Sequence, residues 1–237
     1  MRRIFIGDIQ GCAQQLDALL AAVGLRPDDR LYCVGDLVNR GPDSLTVLRR
    51  LCQLEARIVL GNHELYLLRR ARRSTPCDPK HPLAAILTAV DRDALLSWLE
   101  GQPIMRVEED IVVVHAGLHP DWQDLPTTAD ALNAALRAHL TGHRDARITF
   151  ATEVRHCDAS GGRPAIDDPP PGPPYEPWDH FYHGDRLVVF GHWARRGLVI
   201  GPRVRGLDTG CVYGGELTAW VAEVDRIVQV PGLRVDG

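Results

Sequence analysis

The 237-residue sequence has no run of about 18 consecutive apolar residues, which excludes a membrane-spanning helix. It has no CxxC pair either. Its six cysteines (Cys12, Cys33, Cys52, Cys77, Cys157, Cys211) are scattered, several of them inside apolar runs. They read as reduced, mostly buried thiols of a cytoplasmic protein, not as a disulfide frame or a zinc site. There is no surplus of positive charge: a formal net charge of -4 argues against a protein that coats nucleic acid through a basic surface. A small phosphorylated substrate is not excluded, because a few arginines or metal ions reverse the sign inside one cleft. No repeat of solenoid type is present. The basic start MRRIFIGD carries an apolar run too short for a signal peptide.

What is there fits an ordinary globular chain, 45% hydrophobic and 24% charged, long enough for one large α/β domain spanning 1–237. Arg3 to Gly7 reads as a strand, and Leu16, Leu19, Leu20 and Val23 form a helical face after it. Leu31 to Gly35 is the next strand. Pro42 suits a helix start, with Leu45, Leu48, Leu51 and Cys52 as its buried stripe. Arg57 to Leu60 is a third strand, followed at once by a helix through Leu65 and Leu68. This alternation predicts parallel βαβ units.

Ser74 to Pro82 reads as a Pro-containing break, followed by two short helical segments ending near Trp98 and Leu99. Ile104 to Val107 and Ile111 to Val114 predict a hairpin turning at Glu108, Glu109 and Asp110. Thr127 to Leu140 is helical. Gly161 to Pro177 is too rich in Pro and Gly for regular structure and reads as a surface loop. Leu187 to Phe190, Leu198 to Ile200, Leu217 to Val224 and Ile227 to Val230 are strands. The whole predicts two sheets packed together with helices outside.

The informative feature lies just past the ends of five strand runs. Gly7-Asp8, Gly35-Asp36, Gly61-Asn62-His63-Glu64, His115-Ala116-Gly117 and Gly191-His192 each place a polar residue within two residues of a glycine at a strand end. The carboxyl ends of strands in open α/β sheets line the ligand crevice. Five such endings are hard to explain as independent turns or caps. Carboxylates, an amide and imidazoles at one edge suit Mn, Fe or Zn and not calcium.

In this order, GDIQG, GDLVNRG, GNHE, VHAG and GHW resemble the signature blocks of the metallophosphoesterases related to protein Ser/Thr phosphatases. Over most of the chain, GDLVNRGPDSLTVLR, GNHELYLL, HAGLHPDW, FGHWA and GLDTGCVYGGELTA resemble the bacterial symmetrical diadenosine tetraphosphatases. The resemblance implies an α/β fold of calcineurin type, a sandwich of two mixed β-sheets flanked by helices. A small, partly helical cap would be inserted at about 119–186. It implies two divalent metal ions, Mn²⁺ above all, with Co²⁺, Fe²⁺ or Zn²⁺ as substitutes. Asp8 and Gln10 would hold the first, Asp36 would bridge both, and Asn62, His115 and His192 would complete the second. A hydroxide shared by the two metals would attack an inner phosphorus. His63 would bind no metal and would protonate the leaving phosphate oxygen, while Arg40 would clamp phosphate by its planar fork. Within FATEVRHC, Arg155 is the candidate for a second phosphate-binding arginine. The implied substrate is a dinucleoside polyphosphate, Ap4A giving two ADP, with tetraphosphate-capped RNA 5′ ends as a further candidate. No membrane partner is implied, and the oligomeric state is left open.

Two positions depart from the wider superfamily. Gln10 stands where most members have His, which favours Mn²⁺ over Zn²⁺ at the first position. Asn39 stands where protein phosphatases have an Asp that orients the catalytic histidine, which counts against the competing reading of a protein Ser/Thr phosphatase. Gln10 also motivates a third reading, a non-catalytic nucleotide sensor, against which the other ligands and His63 argue. The chain is also shorter than typical members, in the region after His115. Trp122, Trp178, Trp193 and Tyr213 are equally explicable as adenine-stacking rings and as core or rim aromatics. Asp208 shapes a Gly-rich turn. His119, His143, His156 and His183 have no motif support and read as surface or structural residues, and Asp167-Asp168 as solvated loop.

Overall fold

The computed structural model describes residues 1–73, 77–167 and 169–233. Strands β1 (Arg3–Ile6), β2 (Arg30–Cys33) and β3 (Arg57–Ile58) alternate with helices α1 (Ala13–Val23), α2 (Ser44–Gln53) and α3 (Asn62–Ala71). The strands pair in parallel, so α1 and α2 are crossovers, as the alternation predicts. Helices α4 (Ala84–Leu87) and α5 (Arg92–Glu100) lead to the expected hairpin of β4 (Met105–Val107) and β5 (Ile111–Val114). Helices α6 (Leu125–Leu140) and α7 (Ala146–Glu153) come next. A small ribbon then pairs β6 (His156–Cys157) with β7 (Glu176–Pro177). Strands β8 (Leu187–Phe190), β9 (Val199–Ile200), β10 (Val204–Gly206), β11 (Glu216–Val221) and β12 (Arg226–Pro231) complete the fold.

Two mixed five-stranded sheets result, ordered β12-β11-β1-β2-β3 and β4-β5-β8-β10-β9. The period of two along each strand sorts the side chains between two cores. Phe5, Tyr32, Val34, Ile111, Val113, Val189 and Trp220 turn inward and pack the sheets against each other. Their neighbours Ile4, Ile6, Leu31, Cys33, Val112, Val114 and Val188 turn outward, into the core shared with Leu16, Leu19, Leu48 and Leu51 of the helices. Both faces of the central strands are therefore buried, which explains why they read as continuous apolar runs.

Several local expectations shift. Strand β3 ends at Ile58 rather than Leu60, because the amide of Leu60 leaves the sheet for the carbonyl of Pro103. Helix α2 is capped by Asp43, whose carboxylate accepts from Thr46 N at 3.0 Å, so Pro42 lies outside the helix. Its buried stripe runs through Ser44, Val47, Leu48 and Leu51, not Leu45 and Cys52. The run expected as one strand to Val224 ends at Val221 and turns through a short 3-10 segment. Helix α7 and strands β6 and β10 lie where no regular element is expected. Glu176–Pro177 is likewise a strand inside the predicted loop, tolerated because a two-stranded ribbon leaves the proline an unpaired edge. The predicted break at Ser74 to Pro82 falls partly outside the described residues. No described helix is long and apolar enough to cross a membrane, and the six cysteines are free, with Cys12, Cys33, Cys157 and Cys211 buried.

Candidate active site

The five Gly-flanked strand ends meet at one edge of the sandwich. After β1 the chain turns so that the amides of Ile9 and Gln10 both donate to the carbonyl of Asp36, tying the first loop to the second. Glu64, in the first turn of α3, ties the second loop to the third. Its buried carboxylate accepts from the amides of Asp36, Leu37 and Gly61 at 2.8, 2.8 and 2.9 Å, and from Val38 at 3.3 Å. Seven described non-glycine residues have positive φ, and five of them, Gln10, Asp36, Asn39, Arg40 and His192, stand at this edge. Left-handed backbone at such residues costs on the order of 1–3 kcal/mol each and persists only where the surroundings over-determine it. Gly35 is needed here on two counts: its φ is +97°, and a Cβ would sit 2.9 Å from His115 Nδ1. At Gly191 a Cβ would collide with the Asp8 carboxylate.

Asp36 is at the centre. Its Oδ1 lies 3.3 Å from His115 Nε2, and its Oδ2 lies 3.6 Å from His63 Nε2 and 3.4 Å from the side-chain nitrogen of Gln10. Asn62 Oδ1 is 3.1 Å from His115 Nε2. Asp8 accepts from the backbone amide of His192 at 3.1 Å. One ligand atom from each of Asp36, His115 and His192 can be drawn within 4.8 Å of the others. The tautomers of the two imidazoles follow from their outer partners. His115 Nδ1 faces the carbonyl of Val34 at 2.8 Å and His192 Nε2 faces the carbonyl of Glu153 at 3.2 Å. A carbonyl only accepts, so each of these nitrogens carries a proton, and His115 Nε2 and His192 Nδ1 are the nitrogens left to serve a ligand. This is how metal-binding imidazoles are ordinarily held.

The electrostatics point the same way. Asp8, Asp36, Glu64 and Asp208 are all buried around this point. Burial, then Asp208 and Asp36, push the Asp8 carboxyl well above its ordinary range. Burial and Asp36 push Glu64 up to about 7, and burial drives Asp208 up to about 6. Burial also opposes ionisation of Asp36, but His115, His63 and His192 outweigh it and hold this carboxyl low. Burial lowers His63 and, with His115, lowers His192 strongly. Crowded buried carboxylates beside imidazoles form a donor set that divalent cations would neutralise, and the residues present fit such ions.

Above this floor opens a cavity of about 950 Å³. Gln10, Asp36, Asn62, His63 and His192 line its base, and Arg40 and Arg155 reach into it. All nine residues singled out in the sequence thus stand at or beside one place, Asp8 and His115 just beneath the lining. His63 Nδ1 is buried with no hydrogen-bond partner among the described residues. Asn39, in the position of the orienting Asp, donates its backbone amide to Ser44 Oγ at 2.9 Å.

Other expectations are corrected. Asp167 is only partly solvated: its Oδ1 is 2.6 Å from Nδ1 of buried His156, and both residues line the cavity. Asp168 lies outside the described residues. Asp208 does more than shape a turn, since it is buried beside Asp8. Of the four aromatics left open, Trp178 is wholly buried in the core and Trp122 packs against His119 and Phe150. Trp193 and Tyr213 line the cavity. The tie made by Glu64 is one that motif reading passes over, although its spacing from Gly61 is that of a helix-start carboxylate.

Residues 1–196 match the family described as calcineurin-like phosphoesterase. A symmetrical bis(5'-nucleosyl)-tetraphosphatase from Chromohalobacter salexigens is 41% identical over 90% of this chain and 92% of its own length. Its counterpart from Pectobacterium atrosepticum is 38% identical over 98% of this chain and 96% of its own length. A crystal structure provisionally assigned to a diadenosine tetraphosphatase superposes with a TM-score of 0.76 at 34% identity, covering 100% of this chain and 95% of its own. A protein serine/threonine phosphatase from Saccharomyces cerevisiae superposes with a TM-score of 0.64 at 15% identity, covering 100% of this chain and 81% of its own, a likeness of fold alone. The chain belongs to the calcineurin-like phosphoesterases and, within them, to the family of the symmetrical bis(5'-nucleosyl)-tetraphosphatases.

Proposed function

We propose that this chain is a metal-dependent hydrolase that cuts diadenosine tetraphosphate in the middle, giving two ADP. The observation that carries the reading is the cluster of Asp36, His115 and His192 at the base of a cleft with Arg40 and Arg155 above it. Asp8, Gln10 and Asp36 would hold one divalent ion, and Asp36, Asn62, His115 and His192 a second, with Mn²⁺ the best match to an amide-containing set. When bound, the ions supply Lewis-acid stabilisation of phosphate charge and an ionised water.

The residues of the chain do the rest. Asp36, fixed by the Gly61–Glu64 turn, orients both halves of the ligand set. Arg40 and Arg155 hold the phosphates on either side of the attacked one and offset their charge by charge-assisted hydrogen bonds. His63 presents Nε2 on the cavity side and carries the proton that the leaving ADP oxygen takes up. An inner phosphorus flanked by charged phosphates suits this arrangement better than one beside ribose. Residues 119–186 act as the wall of the cleft within one domain. The tetraphosphate end of a capped RNA would enter the same cleft. The free thiols suit a cytoplasmic location.

Chromatography of early products tests the reading. Ap4A should give ADP alone, and Ap5A should give ADP plus ATP. Stoichiometric ATP and AMP from Ap4A would overturn it.

A further inference from the structure

The catalytic floor accounts for the phosphates of a dinucleotide but not for its two bases. Two aromatic rings remain in the cavity lining with no part in the metal site, Tyr213 and Trp193. They rise from different layers. Tyr213 sits in the turn just before β11 of the first sheet, and Trp193 comes after β8 of the second. Tyr213 is 56% exposed, so its ring is open to a ligand in the cavity.

Each ring is accompanied by an arginine. The guanidinium carbon of Arg40 lies 5.7 Å from the Tyr213 centroid, and that of Arg196 lies 5.0 Å from the Trp193 centroid. The two pairs differ in a useful way. Arg196 is pinned by Asp179 through bonds of 2.7 and 2.9 Å, and the His156 ring meets Trp193 edge-on at 4.6 Å. Trp193 is therefore a braced platform with one side permanently backed. Arg40 forms no ion pair among the described residues, so it is free to turn to phosphate and uncover the Tyr213 face. A flat ring beside a cation is the combination that holds a base next to its phosphate, and stacking on it is tolerant of base identity.

We propose that Tyr213 and Trp193 are the two nucleobase platforms of the cleft, one for each adenine of the dinucleotide. The inference rests on the Ap4A reading and deepens it. Two base-and-cation units in one cavity match a substrate with the same base at both ends.

The test measures KM and kcat on Ap4A for the metal-loaded chain and for Tyr213→Ala, Trp193→Leu and the double variant. Inorganic tetraphosphate, which has the charge but no base, serves as competitor and internal reference. Each single substitution should raise KM for Ap4A by about 5- to 100-fold relative to the inhibition constant of tetraphosphate, the worth of one stacked base. The two effects should multiply, and Tyr213→Phe and Trp193→Phe should restore most of the loss. Equal rises in KM for Ap4A and in the constant for tetraphosphate would overturn the platforms, as would failure of the phenylalanine variants to restore binding. Cleavage by the unmodified chain is read in the same assay. Absence of ADP there sinks the Ap4A reading itself, whereas cleavage indifferent to the rings sinks only the platforms.

Discussion

The floor of the cleft stands on the ends of two five-stranded sheets, whereas part of its wall hangs on a two-residue ribbon and side-chain contacts. On the floor, Asp8, Asp36, Asn62, His115 and His192 leave the ends of strands whose amides and carbonyls already bond to one another, and Glu64 clamps the second and third loops together. On the wall, Arg155, His156 and Asp167 come from the end of α7, a two-residue strand and a proline-rich loop, with backbone pairing confined to the short β6–β7 ribbon and the Trp178–Arg155 bond beside it, and Asp167 joined to His156 by its side chain. A floor of that kind fixes reacting groups to a fraction of an ångström. Walls of the second kind can be resized without disturbing the chemistry. Substitutions on the floor should therefore act on kcat and metal content, and those on the wall on KM.

Asp36→Asn should produce the largest effect. Its carboxylate faces His63, His115 and Gln10 at once, so its loss should cost more activity than loss of any other proposed ligand. Near-normal turnover would break the contrast at its strongest point. His63→Asn should lower kcat by about 10²–10⁴-fold, the usual worth of a general acid, while metal content stays intact. The loss should shrink on an aryl phosphate whose acidic phenol leaves without a proton. Equal losses on both substrates would remove His63 from the leaving-group role.

The wall should yield less. Asp167→Asn keeps the shape but weakens the 2.6 Å bond to His156, a charge-assisted contact whose loss is worth about tenfold. That change should appear in KM for Ap4A, with kcat nearly unchanged. A kcat effect as large as that of His63→Asn would mean that floor and wall are not separate devices.

The same contrast explains which parts of the site are legible in the sequence. Asp8, Asp36, Asn62, His63, His115 and His192 each come soon after a strand and within two residues of a glycine, so local sequence marks them and the sheets bring them together. Asp208 reaches Asp8 across most of the chain, from a turn whose sequence says only that it is a turn. His156 and Asp167 meet through a loop in which proline hides any periodicity. Helix α7 is hard to read because its run ITFATE carries β-branched Ile148, Thr149 and Thr152. It forms because Asp145 caps it, accepting from Arg147 N at 2.8 Å, and because Ile148, Phe150 and Ala151 are buried. Strand β10 is hidden by Arg205, a charged residue inside a sheet, whose guanidinium lies 5.2 Å from the Trp220 ring.

The central claim is that one carboxylate, Asp36, joins two metal positions at the floor. The most direct test is elemental analysis of the chain after loading with Mn²⁺ and removal of unbound ions, compared with Asp36→Asn treated identically. Two ions per chain in the unmodified protein, falling below one in the variant, is the expected result. A single ion per chain in the unmodified protein, or two retained by Asp36→Asn, would contradict it.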